Sequence, residues 1–185
     1  RKYNLTYLLM RFVNLDNRDY HIHSSNFSDW LDSINEIVKF AWEIWLTEIA
    51  ITDHSQISLD YKKQRWIYSS TARYSVGRWK NIFNDINVIF WVEWDLLNEN
   101  WDICLDIQWD KSYFTILSAH KKVYKWKPET VTNATINAIK KYHNKIKFIW
   151  HPCSNSNFWE YIDIEELVKV ANEYNVALEF NATYF

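Results

Sequence analysis

The sequence predicts an α/β protein built on a parallel sheet, and three observations carry that prediction. Short apolar strands alternate with amphipathic helical segments along the chain, the pattern of βα units. Five of the six histidines fall at the ends of those strands, where parallel folds gather their polar chemistry. No repeat, low-complexity tract or Pro/Gly/Ser linker interrupts the alternation, so residues 1–185 are expected to form a single domain. An apolar content of 48% is enough to give a chain of this length a core.

The elements follow in order. Residues 18–23 (RDYHIH) read as a strand running into a polar loop. Ser33-Ile34-Asn35-Glu36 offers a capping box, after which Ile37, Val38, Ala41 and Ile44 recur at helical spacing. Residues 48–52 form a short apolar strand that ends at Asp53-His54, and the mixed stretch 59–83 is expected to be helical in part. Residues 87–97 (NVIFWVEWDLL) are the next strand, with a hairpin expected across 98–108. A strand at 113–117 leads into Ser118-Ala119-His120. Pro128 has the character of a first-turn proline, opening a helix with Val131, Ala134, Ala138, Ile139 and Tyr142 on one face. Residues 146–149 run as a strand into His151-Pro152. Asp163-Ile164-Glu165-Glu166 is a second capping signature, with Leu167, Val168, Ala171 and Tyr174 as the buried stripe, and 176–181 is the last strand.

Composition excludes several classes. A formal net charge of -2 gives no basic footprint for a large nucleic-acid surface, which weakens a DNA-binding reading without excluding a small phosphorylated substrate. No apolar run approaches the roughly 20 residues of a membrane helix, and Arg1-Lys2-Tyr3-Asn4 begins no signal peptide, so a cytoplasmic protein is expected. Cys104 and Cys153 lack the spacing of a disulfide framework or thiolate zinc site and are expected to be packed thiols. The sequence leaves the oligomeric state open.

One figure is abnormal. A chain of this length ordinarily carries roughly 13 glycines, whereas this one carries Gly77 alone beside 12 tryptophans. Trp45 follows the first helix where a C-cap wants a left-handed residue, and Trp101 stands in Asn100-Trp101-Asp102 where a hairpin wants Asn-Gly. Tryptophan is a poor residue for positive φ. The expectation is that most of these tryptophans are glycines in the native product, a UGA codon having been read as Trp where its organism reads Gly.

The chemistry-bearing residues are His21, His23, His54, His120 and His151 at successive strand ends, with His143 apart from them. Two residues apart on one strand, His21 and His23 point the same way. Carboxylates accompany them: Asp29 in the loop, Asp53 before His54, and Glu93 deep in an apolar strand, where an ionised side chain requires a cation or donor. Histidine and carboxylate without cysteine suits Zn, Mn or Fe rather than Ca, and several such ligands allow ions to share bridging oxygens.

Asp19-Tyr20-His21-Ile22-His23 with Ser28-Asp29, Ile51-Thr52-Asp53-His54, Val92-Glu93, Ser118-Ala119-His120, His151-Pro152 and Leu178-Glu179-Phe180-Asn181 resemble, in order, the conserved segments of the PHP (polymerase and histidinol phosphatase) superfamily. The likeness runs from about Asp19 to Asn181 and is most specific in the ordered series with Thr-Asp-His. The resemblance implies a distorted (βα)7 TIM-like barrel holding three divalent ions. It implies His21, His23, Glu93, His120 and His151 as cluster ligands, with Asp29 and His54 at the third ion. The family's closing Asp-x-His does not follow Asn181, so the chain is expected to be a fragment lacking its last strand. The family has glycine where this chain has Trp30, Trp45, Trp91 and Trp150, and indoles there would crowd the ligands.

The implied activity is hydrolysis of a phosphate ester by a hydroxide bridging two ions, with His21, His23, His54, Glu93, His120 and His151 forming the catalytic set. Lys121, Lys122, Lys125, Arg65 and Arg78 are candidates for phosphate contacts, and Asn181 for support of the ligands. The alternatives are an amidohydrolase-type metal hydrolase, which typically bridges its metals with a modified lysine where this chain has Glu93, and a PHP module serving as structural or editing partner of a DNA polymerase. A pseudoenzyme is a third, argued only by the tryptophans.

Overall fold

Six strands pair side by side in the order in which they occur, all parallel, in a computed structural model that describes residues 17–28, 30–61, 78–104, 115–152 and 158–179. They are β1 (Arg18–Ile22), β2 (Glu48–His54), β3 (Asn87–Asp95), β4 (Thr115–Ser118), β5 (Ile146–Ile149) and β6 (Ala177–Leu178). Sequential parallel order is what consecutive right-handed βα units produce when a sheet is wound in one direction toward a barrel. The expected α/β class with a parallel sheet is therefore found. The seventh strand of a (βα)7 barrel is not among the described residues.

The sheet is curled. Tyr20 on β1 meets Trp91 on β3 with ring centroids 5.4 Å apart, and Phe148 on β5 at 5.8 Å. Strands β1 and β5 are four places apart in the order, which in a flat sheet separates them by about 19 Å. The three rings thus fill the inside of the curl. Strand β3 shows how the sequence supports both faces: Trp91, Glu93 and Asp95 alternate with Val88, Phe90, Val92 and Trp94, which pack in the apolar clusters outside.

The helices cover that outer face. Helix α1 (Ile34–Glu43) starts as the sequence predicts, with Ser33 as N-cap and the reciprocal bond from the Ser33 amide to Glu36 Oε2 at 2.7 Å. Its Ile34, Ile37, Val38 and Ala41 are buried with Ile49 and Ile51 of β2. Ile44, expected in that stripe, is instead the C-cap and 48% exposed, because the helix ends one residue before it. Helix α2 (Gln56–Tyr61) begins before the predicted mixed stretch; residues 79–86 are irregular, and 62–77 lie outside the described residues. Pro128 opens a 3-10 turn, Pro128–Thr130, that leads into α3 (Val131–Tyr142). Helix α4 (Ile164–Glu173) is capped by Asp163, whose side chain accepts the Glu166 amide at 3.1 Å. Helices α3 and α4 bury Ala138, Ile139, Leu167 and Ala171 against Leu117, Ile146 and Ile149 of the sheet. The expected hairpin after β3 is present as an antiparallel bridge between Leu96 and Ile103, and residues 105–108 of it lie outside the described residues.

Both positions at which the sequence calls for a left-handed residue adopt that conformation: φ is 65° at Trp45 and 56° at Trp101. Cys104 is buried and its Sγ accepts the Asp95 amide at 3.0 Å, while Cys153 lies outside the described residues. Among the described residues, no helix is long and apolar enough to cross a membrane.

Candidate metal centre

The carboxyl ends of the strands meet inside the curl around one side chain. Glu93, on the inward face of β3, is wholly buried. His54 Nδ1, at the end of β2, lies 2.6 Å from Glu93 Oε2, and His23 Nε2, just beyond β1, lies 3.5 Å from the same oxygen. His120 Nε2, in the turn after β4, lies 3.3 Å from Oε1. His21 Nε2 is 3.2 Å from His23 Nε2. Two groups of potential ligand atoms result, each within 4.8 Å of one another: His21, His23 and Glu93, and His54, Glu93 and His120. Glu93 belongs to both.

The donor set fits divalent cations. A carboxylate removed from water is costly unless donors or a cation compensate it. Neither Glu93 oxygen receives a well-directed hydrogen bond among the described residues, although His54 Nδ1 is close enough for one. Short approach without N–H···O alignment is the relation of two ligands that face a common ion. One acid shared by two histidine groups is a donor set that could hold divalent metal ions.

Electrostatics in this cluster follow from crowding. Burial pushes the Glu93 carboxyl up, but the imidazoles of His54, His120 and His23 outweigh it and hold the group well below the carboxylate range. Burial pulls His120 down, but Glu93 and Asp95 outweigh it and raise the imidazole above its ordinary value. His151, 5% exposed, is pushed down to about 3, chiefly by burial, with Glu93 opposing.

The remaining expected residues take different places. His151 packs its ring 5.5 Å from that of His120 but belongs to neither ligand group. The resemblance pairs His54 with Asp29 at a third ion; here His54 stands with Glu93 and His120, and Asp29 lies outside the described residues. Asp53 holds the loop after β1, its Oδ1 accepting the Ser24 amide at 2.6 Å and its Oδ2 the Ser24 hydroxyl at 2.7 Å. Lys121, Lys122, Lys125 and Arg78 are exposed, with Lys125 Nζ donating to the Lys122 carbonyl. Arg65 and Asn181 lie outside the described residues.

Two acids that the sequence reading left without a role support the ligands. Asp95 is wholly buried, and its Oδ1 lies 2.5 Å from His120 Nδ1 while Oδ2 accepts the Ser55 hydroxyl at 2.5 Å. With Nδ1 held there, Nε2 of His120 faces Glu93 and could serve as a ligand, in the carboxylate–histidine relation that orients metal ligands. Glu179, just beyond β6, places Oε2 3.3 Å from His21 Nδ1 and accepts the His151 amide at 3.2 Å. It thereby ties the sixth strand to the first across the opening of the curl. The signal for Asp95 was its position two residues after Glu93, on the same inward face.

The chain is 29% identical over 170 residues to a probable phosphatase of Vibrio parahaemolyticus, a match covering 89% of this chain and 62% of the relative. It is 28% identical over 169 residues to a probable phosphatase of Vibrio atlanticus, covering 89% of this chain and 63% of the relative. It thus spans about three-fifths of the length of these curated relatives. Residues 19–183, which take in the curled sheet from Asp19 onward and the candidate ligands at its rim, match the PHP domain, and the chain belongs to that family.

Proposed function

We propose that this chain is the metal-binding part of a phosphoesterase, in which Glu93 and the histidines around it would hold the divalent ions that assist hydrolysis of a phosphate ester. The observation that carries the reading is the sharing of one buried carboxylate between two histidine groups. His21 and His23 on one side and His54 and His120 on the other would hold two ions at neighbouring positions, with His151 beside the second. Divalent ions so placed supply Lewis acidity toward phosphoryl oxygens and lower the pKa of coordinated water to about 7. The chain's own residues fix the geometry: Asp95 orients His120, Glu179 orients His21, and Asp53 pins the loop that carries the chain away from His23. A third ion at Asp29 and closure of a seven-stranded barrel belong to the same reading.

Both Vibrio relatives are probable phosphatases, which supports a phosphoryl substrate. An amidohydrolase is disfavoured, since the bridging position on β3 is a glutamate. The test uses protein expressed from the complete gene, analysed for bound Zn, Mn and Fe and assayed with Mn against phosphomonoesters and phosphodiesters. Bound metal with hydrolysis of one ester class is the expected result. Protein without bound metal, or metal-loaded protein inert toward every ester, would refute the reading.

A further inference from the structure

Four of the described tryptophans, Trp45, Trp94, Trp101 and Trp150, occupy places that tryptophan fits badly. Trp45 is the residue after the C-cap of α1: its amide bonds the Trp42 carbonyl at 3.1 Å, and the Leu46 amide bonds the Ala41 carbonyl at 2.9 Å. This is a Schellman ending, whose left-handed residue is usually glycine. Helix α4 ends the same way, with the Val176 amide on the Ala171 carbonyl at 2.8 Å, and there the left-handed residue is Asn175, the accepted substitute. Trp45 holds the same conformation with 80% of its surface exposed. Trp101 occupies the left-handed slot of the turn whose 98-to-101 hydrogen bond closes the hairpin after β3. A buried indole N–H normally finds an acceptor, yet those of Trp94 and Trp150 have none among the described residues.

Trp150 is the one that concerns chemistry. It follows β5, and its indole enters the space enclosed by the ligand histidines. Its ring centroid lies 3.9 Å from that of His21, 5.6 Å from His120 and 5.9 Å from His23. It lies 3.3 Å from the ring of His151 at an interplanar angle of 46°, closer than aromatic pairs ordinarily pack. The neighbouring His151 is pressed to a φ of 31°.

We infer that position 150 carries glycine in the working protein, as do positions 45 and 101, through a UGA codon translated as glycine, and that the space filled by the Trp150 indole receives the substrate's phosphoryl group. The codon claim stands on backbone conformation and the missing glycines; the phosphoryl claim rests on the proposed phosphoesterase reading. Glycine removes the whole side chain, opening an indole-sized recess between His21, His120 and His151. It also releases the strain at positions 45 and 101.

The experiment has three readouts. The gene is expected to carry UGA at the codons for residues 45, 101 and 150, and peptides from the native protein are expected to show glycine there; UGG codons or intact tryptophan would overturn the assignment. Trp45→Gly and Trp101→Gly are expected to raise Tm by about 2–4 °C each without altering metal content; an unchanged or lower Tm for both counts against it. In Mn-loaded protein from the complete gene, Trp150→Gly is expected to bind inorganic phosphate at least about tenfold more tightly by calorimetry than the tryptophan form. Equal binding would overturn the recess. Tighter phosphate binding without hydrolysis of any ester would uphold it and remove the phosphoesterase reading instead.

Discussion

Asp95→Asn isolates the contribution of one supporting carboxylate. Asp95 accepts from the Ser55 hydroxyl through one oxygen and faces His120 Nδ1 through the other, so it fixes both the ring orientation and the tautomer of His120. Asparagine keeps the size and the Ser55 contact but can present an N–H toward Nδ1, favouring the wrong tautomer with its proton on Nε2. Loss of such an outer partner typically weakens metal affinity 10- to 100-fold, or about 1.4–2.7 kcal/mol at 25 °C. The weakening should be confined to the ion held by His54, Glu93 and His120, because Asp95 touches no residue of the His21 and His23 pair among its hydrogen bonds. Calorimetric Mn titration of protein from the complete gene is therefore expected to show one site weakened and one unchanged. The structural alternative predicts a lower Tm of the metal-free protein with both sites intact. Equal affinities at both sites in wild type and variant would refute the orienting role.

Other outcomes follow from the same geometry. Glu93→Gln removes the shared ligand charge, so bound metal measured by mass spectrometry should fall at both positions, whereas His21→Ala should deplete only one. Leu167→Ala empties a fully buried position in α4 and should destabilise by about 2–5 kcal/mol in denaturant unfolding, with metal stoichiometry unchanged. Ser33→Ala should lower Tm at pH 7 by about 2–4 °C through loss of the α1 cap. The Ser33 hydroxyl and amide hold Glu36 below its ordinary pKa, so this stabilisation is present above the unfolded-state value and lost as pH falls through the folded one. The Tm difference between Ser33→Ala and wild type should accordingly shrink on acidification through the glutamate range.

Much of the fold was legible because its signals are local. The capping pairs Ser33 with Glu36 and Asp163 with Glu166, the buried stripes behind them and the proline before α3 each act within a few residues. Boundaries that depend on neighbours were not: Ile44 fits the apolar period of α1 but lies past its end, where the chain must turn to enter β2. Glu93 was legible as a charge in an apolar strand, whereas Asp95, equally buried, was hidden by its place at the strand's end, where acids are ordinary.

Convergence of the ligands is the part that local signals do not contain. Registers place His54 level with Glu93, and Glu93 level with Ile116, so His120 stands four residues farther along than His54 and two strands away. In a flat sheet that offset would separate the two residues by about 16 Å. Their rings are 5.4 Å apart. Two features remove the difference. The sheet curls, which turns the ends of the strands toward one another. The chain also leaves the strand direction after Ser118, with the Val123 and Tyr124 amides both bonding the His120 carbonyl at 2.9 Å, so that His120 folds inward over Glu93 rather than continuing upward. Asp95 then fixes the ring in that inward position. The histidine after β4 therefore reaches Glu93 through its turn, its supporting acid and the curl acting together, and disturbing any one of the three should release it while leaving His21 and His23 in place.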